Sequence, residues 1–419
     1  MSKPSRPRPS LYALLAVCFV LLAGCNLGVS DTPADVGQAA PSLVVAWAAQ
    51  GDLYVWQTGD AFARRVASGG VVRPYVSQGG GYVAFTRGTN GVPYSLWVVE
   101  RSGLGEVQLM PQARERTFTQ GAHLIGDVAW ASDDILYFNT LAYDALAPTP
   151  RDDLYRANAR IREVALLLRQ GEGGAFRLSP DGAQVAIVSK ATYGRQDGRI
   201  GVIDALGQRR VLNLLYYVGV ASGSHTPFYP ELFWAADGAA VLVALPNKDL
   251  IYQETEAVPA TELWELPTGV PSARRRIGSV NASYFGLPAY NADASQMAYL
   301  ARDVASNRFT LMLAQGDGSN PQAYDAGELG SISVVHWLPS GARFWYAKGI
   351  GAFYVGAAGQ APARLGDDRL RAVSFLRDTA YLAVIEAEGA FEVQFVQEGQ
   401  GVLVLGSTPV IPAFDGVYP

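Results

Sequence analysis

The stretch FRLSPDGAQVAIVSK at residues 176–190 decides the fold of this chain. Its centre, Ser179–Gly182, predicts a tight turn, because Pro presets φ, Asp bonds to nearby backbone amides and Gly takes the positive φ that closes a hairpin. The apolar run Val185–Val188 that follows is typical of a strand buried on both faces. The stretch is therefore predicted to be a β-hairpin.

The hairpin pattern recurs along the chain. Seven turn-like segments can be aligned at spacings of 38 to 56 residues, each with an aromatic residue shortly before it and a strand-like run after it. The segments are Ser77–Gly80, Ser132–Asp134, Ser179–Gly182, Ala235–Gly238, Asn291–Ala294, Leu338–Gly341 and Leu376–Thr379. Each unit then supplies two more strand-like runs, of which the last is more polar and often bears Arg. Four antiparallel strands in each repeat predict the blades of a β-propeller.

The repeat resembles that of the TolB-like, or WD40-like (PD40), β-propellers of bacteria, in which an aromatic residue and Ser-Pro-Asp-Gly precede an apolar strand and a Leu-Tyr-Val strand. Residues 176–190 match the complete Ser-Pro-Asp-Gly motif, and the resemblance extends over residues 43–406. It implies an all-β fold with a single β-propeller of seven or eight four-stranded blades.

The blade count depends on how the propeller closes. Residues 43–66 look like strands two to four of a unit without its first strand. If residues 407–412 supply that strand, the two termini share a blade and eight blades result. If the partial unit merges with the unit at 370–406, the count is seven. We favour eight blades, because sharing removes the open edge of the sheet.

The N-terminal segment has the pattern of an export signal. Three basic residues precede the apolar run Leu11–Leu22, which is short for a membrane span. The run ends in Leu-Ala-Gly-Cys25, which resembles the lipobox of bacterial lipoproteins and implies that Cys25 is lipidated and becomes the first residue after cleavage. An ordinary signal peptide or an uncleaved anchor with an incidental Cys is the alternative.

These patterns divide the chain into three parts. We predict a lipoprotein signal peptide at 1–24, the lipidated Cys25 with a flexible tether at 25–41, and the propeller at 42–419. The predicted location is extracytoplasmic and anchored to a bacterial membrane, with the inner, outer or sole membrane left open.

Composition narrows the classes of function. The net charge is −5, which argues against nucleic-acid binding. Both Cys residues lie within the first 25 positions, which excludes a disulfide framework and a Cys-based zinc site in the propeller.

Long connections mark a candidate binding face. The long segments 140–151, 190–198, 215–230 and 246–260 all fall on one face of the propeller, because links between the second and third strands share a face with links between blades. Loops on a rigid scaffold are common binding sites, and Tyr is an efficient contact residue. The candidate binding residues are Tyr143, Asp144, Tyr193, Tyr217, His225, Tyr229, Tyr252 and Glu254. Loops that only cover the blade edges are the alternative.

The innermost strands are mostly apolar or aromatic, and the polar exceptions Arg177, Glu231 and His336 are candidate channel residues. The sequence has no Gly-x-Ser-x-Gly elbow, no His pair at ligand spacing and no calcium-loop motif. We therefore predict a protein that is not an enzyme, with no catalytic residues, no cofactor and no metal.

Three functions are compared. The favoured one is a non-catalytic scaffold that binds a protein, peptide or glycan of the cell envelope. The alternatives are a glycan- or solute-binding lipoprotein associated with a transporter, and an enzyme of the lyase or hydrolase class with its site in the channel.

Overall fold

The computed structural model describes residues 42–110, 123–143, 148–221, 227–249, 260–328, 331–333, 335–349 and 351–418. Leu43–Pro419 forms one compact unit. Its strands make eight antiparallel sheets, seven with four strands and one with five, which are the blades of an eight-bladed β-propeller. Helical structure in the described ranges is limited to two 3-10 turns, Pro271–Ala273 and Tyr284–Gly286. The prediction of an eight-bladed all-β propeller is confirmed.

We number the blades in chain order and list the strands of each from the channel outward. Blades 1 and 2 contain Ala413–Val417, Val44–Ala49, Asp52–Gln57 and Arg64–Ala67, and then Val71–Val76, Tyr82–Thr89, Val92–Glu100 and Val107–Met110. Blade 3 contains His123–Trp130, Ile135–Tyr143, Leu154–Asn158 and Glu163–Leu168, with the extra strand Pro148–Pro150 paired to Ile135–Tyr143. Blades 4 and 5 contain Ala175–Leu178, Gln184–Val188, Gly198–Asp204 and Arg210–Tyr217, and then Leu232–Trp234, Ala240–Leu245, Thr261–Pro267 and Arg275–Val280.

The last three blades follow the same order. Blade 6 contains Ala289–Tyr290, Gln296–Asp303, Arg308–Gln315 and Gln322–Glu328. Blade 7 contains His336–Trp337, Arg343–Lys348, Ala352–Ala357 and Ala363–Leu365. Blade 8 contains Leu370–Arg377, Ala380–Ala387, Ala390–Gln397 and Gly401–Thr408.

The termini close the ring in blade 1, as predicted, but with a different segment. The closing strand is Ala413–Val417, which pairs antiparallel with Val44–Ala49 from Val44↔Val417 to Ala48↔Ala413. The prediction that residues 407–412 supply this strand was wrong. Residues 407 and 408 belong to the outer strand of blade 8, and Pro409 and Pro412 interrupt the rest of the segment.

The hydrophobic core lies between neighbouring sheets. Leu96 and Val98 of blade 2 pack with Leu136 and Phe138 of blade 3, for example. The seam between the last and first blades is built in the same way, with Trp47 packing near Leu382. Each blade therefore buries both of its faces, which explains the near-continuous apolar second strands in the sequence.

The hairpin at 176–190 has the predicted turn. Asp181 Oδ1 accepts hydrogen bonds from Ser179 Oγ at 2.6 Å and from the Ala183 amide at 3.0 Å. Gly182 takes φ +68°, a region that favours glycine. The carboxylate therefore stabilises the turn, and the bonds it accepts hold the pKa of Asp181 below its usual value.

Candidate functional site

Two faces of the propeller differ in their connections. In every blade, the antiparallel order puts the turns between strands one and two and between strands three and four on one face, which we call the short-turn face. Links between strands two and three and links between blades lie on the opposite, long-loop face. The described residues of the long segments at 140–151, 190–198, 215–230 and 246–260 all belong to the long-loop face.

The structure describes only part of the predicted binding residues. Asp144, His225, Tyr252 and Glu254 lie outside the described residues, and so does the side chain of Tyr143. Tyr193, Tyr217 and Tyr229 are described, and all three belong to blades 4 and 5 or to the link between them.

Tyr193 and Asp249 connect two of the long loops. The Tyr193 hydroxyl donates a hydrogen bond of 2.6 Å to Asp249 Oδ1, which joins the loop after the second strand of blade 4 to the equivalent loop of blade 5. The two loops therefore present a shared surface, and Tyr193 contributes to its organisation through a charge-assisted hydrogen bond.

Tyr229 bonds to a buried carboxylate. Its hydroxyl donates a 2.9 Å hydrogen bond to Oδ1 of Asp152, which is 2% exposed, while Lys190 Nζ lies 3.9 Å from Oδ2. Burial raises the pKa of Asp152, and the bond from Tyr229 and the charge of Lys190 partly offset that rise. The same carboxylate and burial raise the pKa of the Tyr229 hydroxyl. The group ties the loops of blades 3, 4 and 5 together.

Two adjacent tyrosines at the end of blade 4 have opposite roles. Tyr217 is only 5% exposed, and its hydroxyl donates to the carbonyl oxygens of Ser189 at 2.5 Å and Phe228 at 3.2 Å. Tyr216 is 62% exposed. Side chains alternate along a strand, so the register of Arg210–Tyr217 turns Tyr217 into the core and Tyr216 outward. The sequence analysis selected Tyr217 as a contact residue, whereas the structure offers Tyr216 at this place.

A groove lies beside these tyrosines on the long-loop face. It has a volume of about 460 Å³ and is bordered by the end of blade 4 and the start of the third strand of blade 5. Aromatic, aliphatic and polar side chains share its lining, with Tyr216, Val218, Phe228, Lys248, Glu262 and Trp264 among them. Apolar walls with a few polar groups are the usual composition of a ligand-binding groove.

The predicted channel residues Arg177 and Glu231 form an ion pair. Arg177 lies on the first strand of blade 4, and its Nη2 donates to Glu231 Oε1 at 2.8 Å, while its Nε donates to the Leu232 carbonyl at 3.1 Å. Although 54% of the Glu231 side chain is exposed to the channel, desolvation by the surrounding channel wall raises its pKa, against the lowering effect of Arg177. The pair connects blades 4 and 5 at their inner edges.

His336 lies on the first strand of blade 7 and stacks on Trp345 with ring centroids 4.4 Å apart. The His336 side chain is exposed to the channel, but desolvation by the surrounding channel wall and, to a smaller extent, the positive charge of Arg177 lower its pKa. The imidazole is therefore kept neutral at neutral pH, and Arg177 influences both other predicted channel residues.

A second cavity was missed in the sequence analysis. It has a volume of about 710 Å³ and is lined by the first strands of blades 1, 2, 3 and 8. Asp415 of the closing strand faces it, together with Arg73, Tyr75 and Gln78. The Asp415 Oδ2 atom accepts a 2.7 Å bond from the Val76 amide, and burial raises the pKa of this carboxyl to about 6. Only the assignment of 413–417 as an innermost strand would have indicated this site.

Within the described ranges, no group of three or more His, Cys, Asp or Glu side chains is placed to hold a metal ion. A search of the same residues for a helix long and apolar enough to cross a bilayer also finds none.

Neither a protein-family model nor a curated protein matches this sequence. Solved structures do match in fold. An oligogalacturonate lyase in complex with manganese is 10% identical, with 86% of this chain and 98% of that chain covered and a TM-score of 0.51. A dipeptidyl peptidase 4 from Porphyromonas gingivalis is 9% identical, with 86% and 59% covered and a TM-score of 0.53.

A TolB structure from Acinetobacter baumannii also matches, at 10% identity over 89% of this chain and 66% of that chain, with a TM-score of 0.36. The first two structures are enzymes by their descriptions. At identities this low the likeness extends to the β-propeller fold and not to any activity.

Proposed function

We propose that this chain is a lipid-anchored, extracytoplasmic β-propeller that binds a peptide segment of a cell-envelope protein on its long-loop face. The observation that carries the proposal is the groove of about 460 Å³ between blades 4 and 5. Exposed Tyr216 borders this groove, and the bonds from Tyr193 to Asp249 and from Tyr229 to Asp152 hold the neighbouring loops. A preorganised aromatic surface loses little conformational entropy when a partner binds, which favours affinity.

The groove suits an extended peptide. Its aromatic and aliphatic walls bury apolar side chains, and Lys248 at its border offers a positive charge to a peptide carbonyl or carboxyl terminus, while Glu262 is paired with Arg276 at 2.8 Å. Interfaces of this composition place aromatic residues at the centre and charged residues at the edge.

The experiment compares two tyrosine variants of the propeller as baits in envelope extract. Tyr216→Ser removes an exposed ring and should abolish capture of the main partner without changing the melting temperature. Tyr217→Phe removes the buried hydroxyl that bonds to Ser189 and should lower stability by about 1 kcal/mol while capture persists. Val404→Ser, on the exposed outer strand of blade 8, is the surface control. Unchanged capture by Tyr216→Ser would refute the binding groove.

The lipid anchor has its own test. Cys25→Ala removes the acyl acceptor, so the full chain should no longer incorporate a fatty-acid label and should be removed more easily from the membrane fraction by washing. Cys18→Ala, in the apolar run, is the matched control and should leave the membrane fraction unchanged. Equal incorporation of the fatty-acid label by Cys25→Ala and by the wild type would contradict the anchor.

The cavity lined by Asp415 and Arg73 favours a second candidate, a glycan or other polar solute held in the channel. A carboxyl with a pKa of about 6 can donate or accept a proton near neutral pH, and an Arg and a Tyr border the same cavity. Binding of such a ligand to the native state would raise the melting temperature. A panel of acidic and neutral oligosaccharides should give a thermal shift that Arg73→Gln and Asp415→Asn remove. An enzyme of the lyase or hydrolase class would further require product formation that depends on Asp415.

A further inference from the structure

The short-turn face carries exposed apolar side chains at one structural position. In each of blades 1 to 5, the turn between strands three and four presents a single large apolar residue that is 55–83% exposed. These residues, which we call the apolar rim, are Phe62, Leu104, Ile161, Leu206 and Val270. The five blades are consecutive, so the rim forms an arc.

The turns hold the rim side chains outward. The amides of Leu104, Ile161 and Leu206 donate to Ser102 Oγ at 3.2 Å, Asn158 Oδ1 at 3.1 Å and Asp204 Oδ1 at 3.1 Å. Each bond fixes the backbone position from which the apolar side chain projects. Exposure is therefore built into three of the five turns.

Contacts between neighbouring blades place the short turns on a common face. The Gly81 amide of blade 2 donates to Asp133 Oδ1 of blade 3 at 3.0 Å, and Asn291 Nδ2 of blade 6 donates to the Gly341 carbonyl of blade 7 at 3.2 Å. Both bonds join turns between strands one and two. The turns between strands three and four leave each blade in the same direction, farther from the channel.

Arginines accompany the apolar rim. The five turns and the first two residues of the strands that follow them contain ten Arg against three acidic residues, although the whole chain has a net charge of −5. The arginines are Arg64, Arg65, Arg101, Arg160, Arg162, Arg209, Arg210, Arg274, Arg275 and Arg276. Five of them pair with carboxylates at 2.8–3.7 Å, and ion pairs at a protein surface are weak. Two of these five, Arg65 and Arg276, reach Asp52 and Glu262 at the long-loop end of their blades, so eight arginines remain beside the rim.

The equivalent turns of the other three blades differ in both respects. Their turn sequences, GDGSNP at 316–321, AGQAP at 358–362 and EGQ at 398–400, have no large apolar residue and no Arg. When the first two residues of the following strand are included, as for blades 1 to 5, blade 7 adds Arg364 and blade 8 adds the exposed Val402, but none of the three blades has both. The combination of exposed apolar side chains and Arg is thus confined to one arc.

The chain enters the propeller on this same face. Val44, at the start of the second strand of blade 1, pairs with Val417 at the end of the first strand, so both residues lie at the short-turn end of the blade. The described chain therefore begins at the short-turn end of blade 1, the blade that carries Phe62.

We propose that the apolar rim and its arginines dock the propeller on an anionic lipid surface, with the long-loop face directed away from it. Single apolar side chains spread over five blades fit a broad, deformable layer better than a compact protein partner, whose contacts concentrate in a central patch. Insertion of apolar side chains together with Arg near anionic headgroups is the usual basis of interfacial membrane binding. This inference takes its setting from the proposed lipid anchor, and the two are tested separately.

The test uses the fragment Leu43–Pro419, which contains all eight blades and every described core cluster and so folds without the preceding segment. Flotation with vesicles of phosphatidylethanolamine and phosphatidylglycerol measures its binding. A variant with all five rim residues replaced by Ser should bind at least about tenfold more weakly. The control is Val410→Ser with Ile411→Ser, which removes two exposed apolar side chains from a blade-to-blade link on the long-loop face. This control should bind like the wild type.

A second variant distinguishes loss of membrane binding from loss of folding. Arg160→Gln with Arg162→Gln and Arg274→Gln keeps the apolar side chains and should weaken binding to the same vesicles. A wild-type fragment that does not float, or a folded rim variant that floats equally well, would overturn the proposal. Incorporation of a fatty-acid label, which Cys25→Ala should abolish, tests the anchor alone because it does not depend on membrane binding by the rim, so failure of one idea is distinguishable from failure of the other.

Discussion

The indole Nε1 of Trp234 donates a hydrogen bond of 3.0 Å to the backbone carbonyl oxygen of Arg177, which joins the first strand of blade 5 to that of blade 4. Two other blade junctions repeat the arrangement, from Trp130 to Tyr75 at 3.0 Å and from Trp337 to Ala289 at 2.9 Å. Trp before each of these turns therefore connects blades through its indole N–H, a group that Phe and Tyr at the equivalent positions lack.

Trp234→Phe should lower the free energy of unfolding by about 1–2 kcal/mol, because it leaves the Arg177 carbonyl without this partner and removes part of a buried ring. Trp264→Phe is the control, since its indole bonds to the exposed Glu262 side chain of the same blade, which can turn to water. Urea denaturation measures both. Equal losses in the two variants would contradict a special role for the inter-blade bond.

Gly416→Val should open the ring at blade 1. A Cβ at Gly416 would lie 2.8 Å from Leu382 Cδ1 and 3.1 Å from the Val44 carbonyl oxygen, so the closing strand could not keep its register. We expect a loss of about 3 kcal/mol or more and a lower melting temperature. Gly269→Val is the control, because a Cβ there meets no atom within 4 Å and its φ is not positive. A normal melting temperature for Gly416→Val would show that closure tolerates the added side chain.

Asp415→Asn should remove a pH dependence of stability. Burial raises the pKa of this carboxyl from 3.8 to about 6, so between these values the folded protein binds more protons than the unfolded chain. Stability contributed by this group is present at low pH and is lost as pH rises through about 6. At pH 8 the variant should be more stable than the wild type by about 1–3 kcal/mol, and the difference should vanish near pH 4.

The matched variant for this series is Asp181→Asn. Hydrogen bonds from Ser179 and Ala183 lower the pKa of Asp181, so the stability from this group is lost as pH falls. The difference in unfolding free energy between variant and wild type, measured by denaturation between pH 4 and pH 8, should thus change with pH in opposite directions for the two variants. If the stability difference between Asp415→Asn and the wild type does not change with pH, the Asp415 carboxyl titrates normally in the folded protein.

Ala294→Gly should stabilise the turn of blade 6. Ala294 holds φ +59°, whereas the equivalent Gly182 and Gly238 hold φ +68° without a Cβ. Relief of the left-handed strain is worth about 1 kcal/mol, and the greater freedom of Gly in the unfolded chain reduces the gain to about 0.5 kcal/mol. Ala292→Gly, in the same turn and without a positive φ, should instead destabilise. A lower melting temperature for Ala294→Gly would contradict the strain argument.

Local signals were sufficient for the fold. The Ser179–Gly182 turn, the buried run after it and their recurrence predicted the blades, because turn chemistry and side-chain periodicity act over a few residues. The same reasoning placed the long segments on one face, since strand order alone decides which end of a blade a link occupies.

Only the tertiary structure shows which distant strands pair in the propeller and which side chains they bring together. No local signal in residues 413–417 shows that they pair with Val44–Ala49, more than 360 positions earlier, or that Asp415 then faces a cavity beside Arg73. The difference between exposed Tyr216 and buried Tyr217 likewise follows from strand register, and a shift of one residue would exchange them.

The sequence by itself determined that this chain repeats a four-stranded unit and where its short turns and long loops fall. The tertiary structure decided which strand closes the ring, which tyrosine borders the groove and which turns form the apolar rim. Turns and strands are set by contacts between near neighbours, whereas closure, burial and shared surfaces depend on residues that only the complete ring of blades brings together.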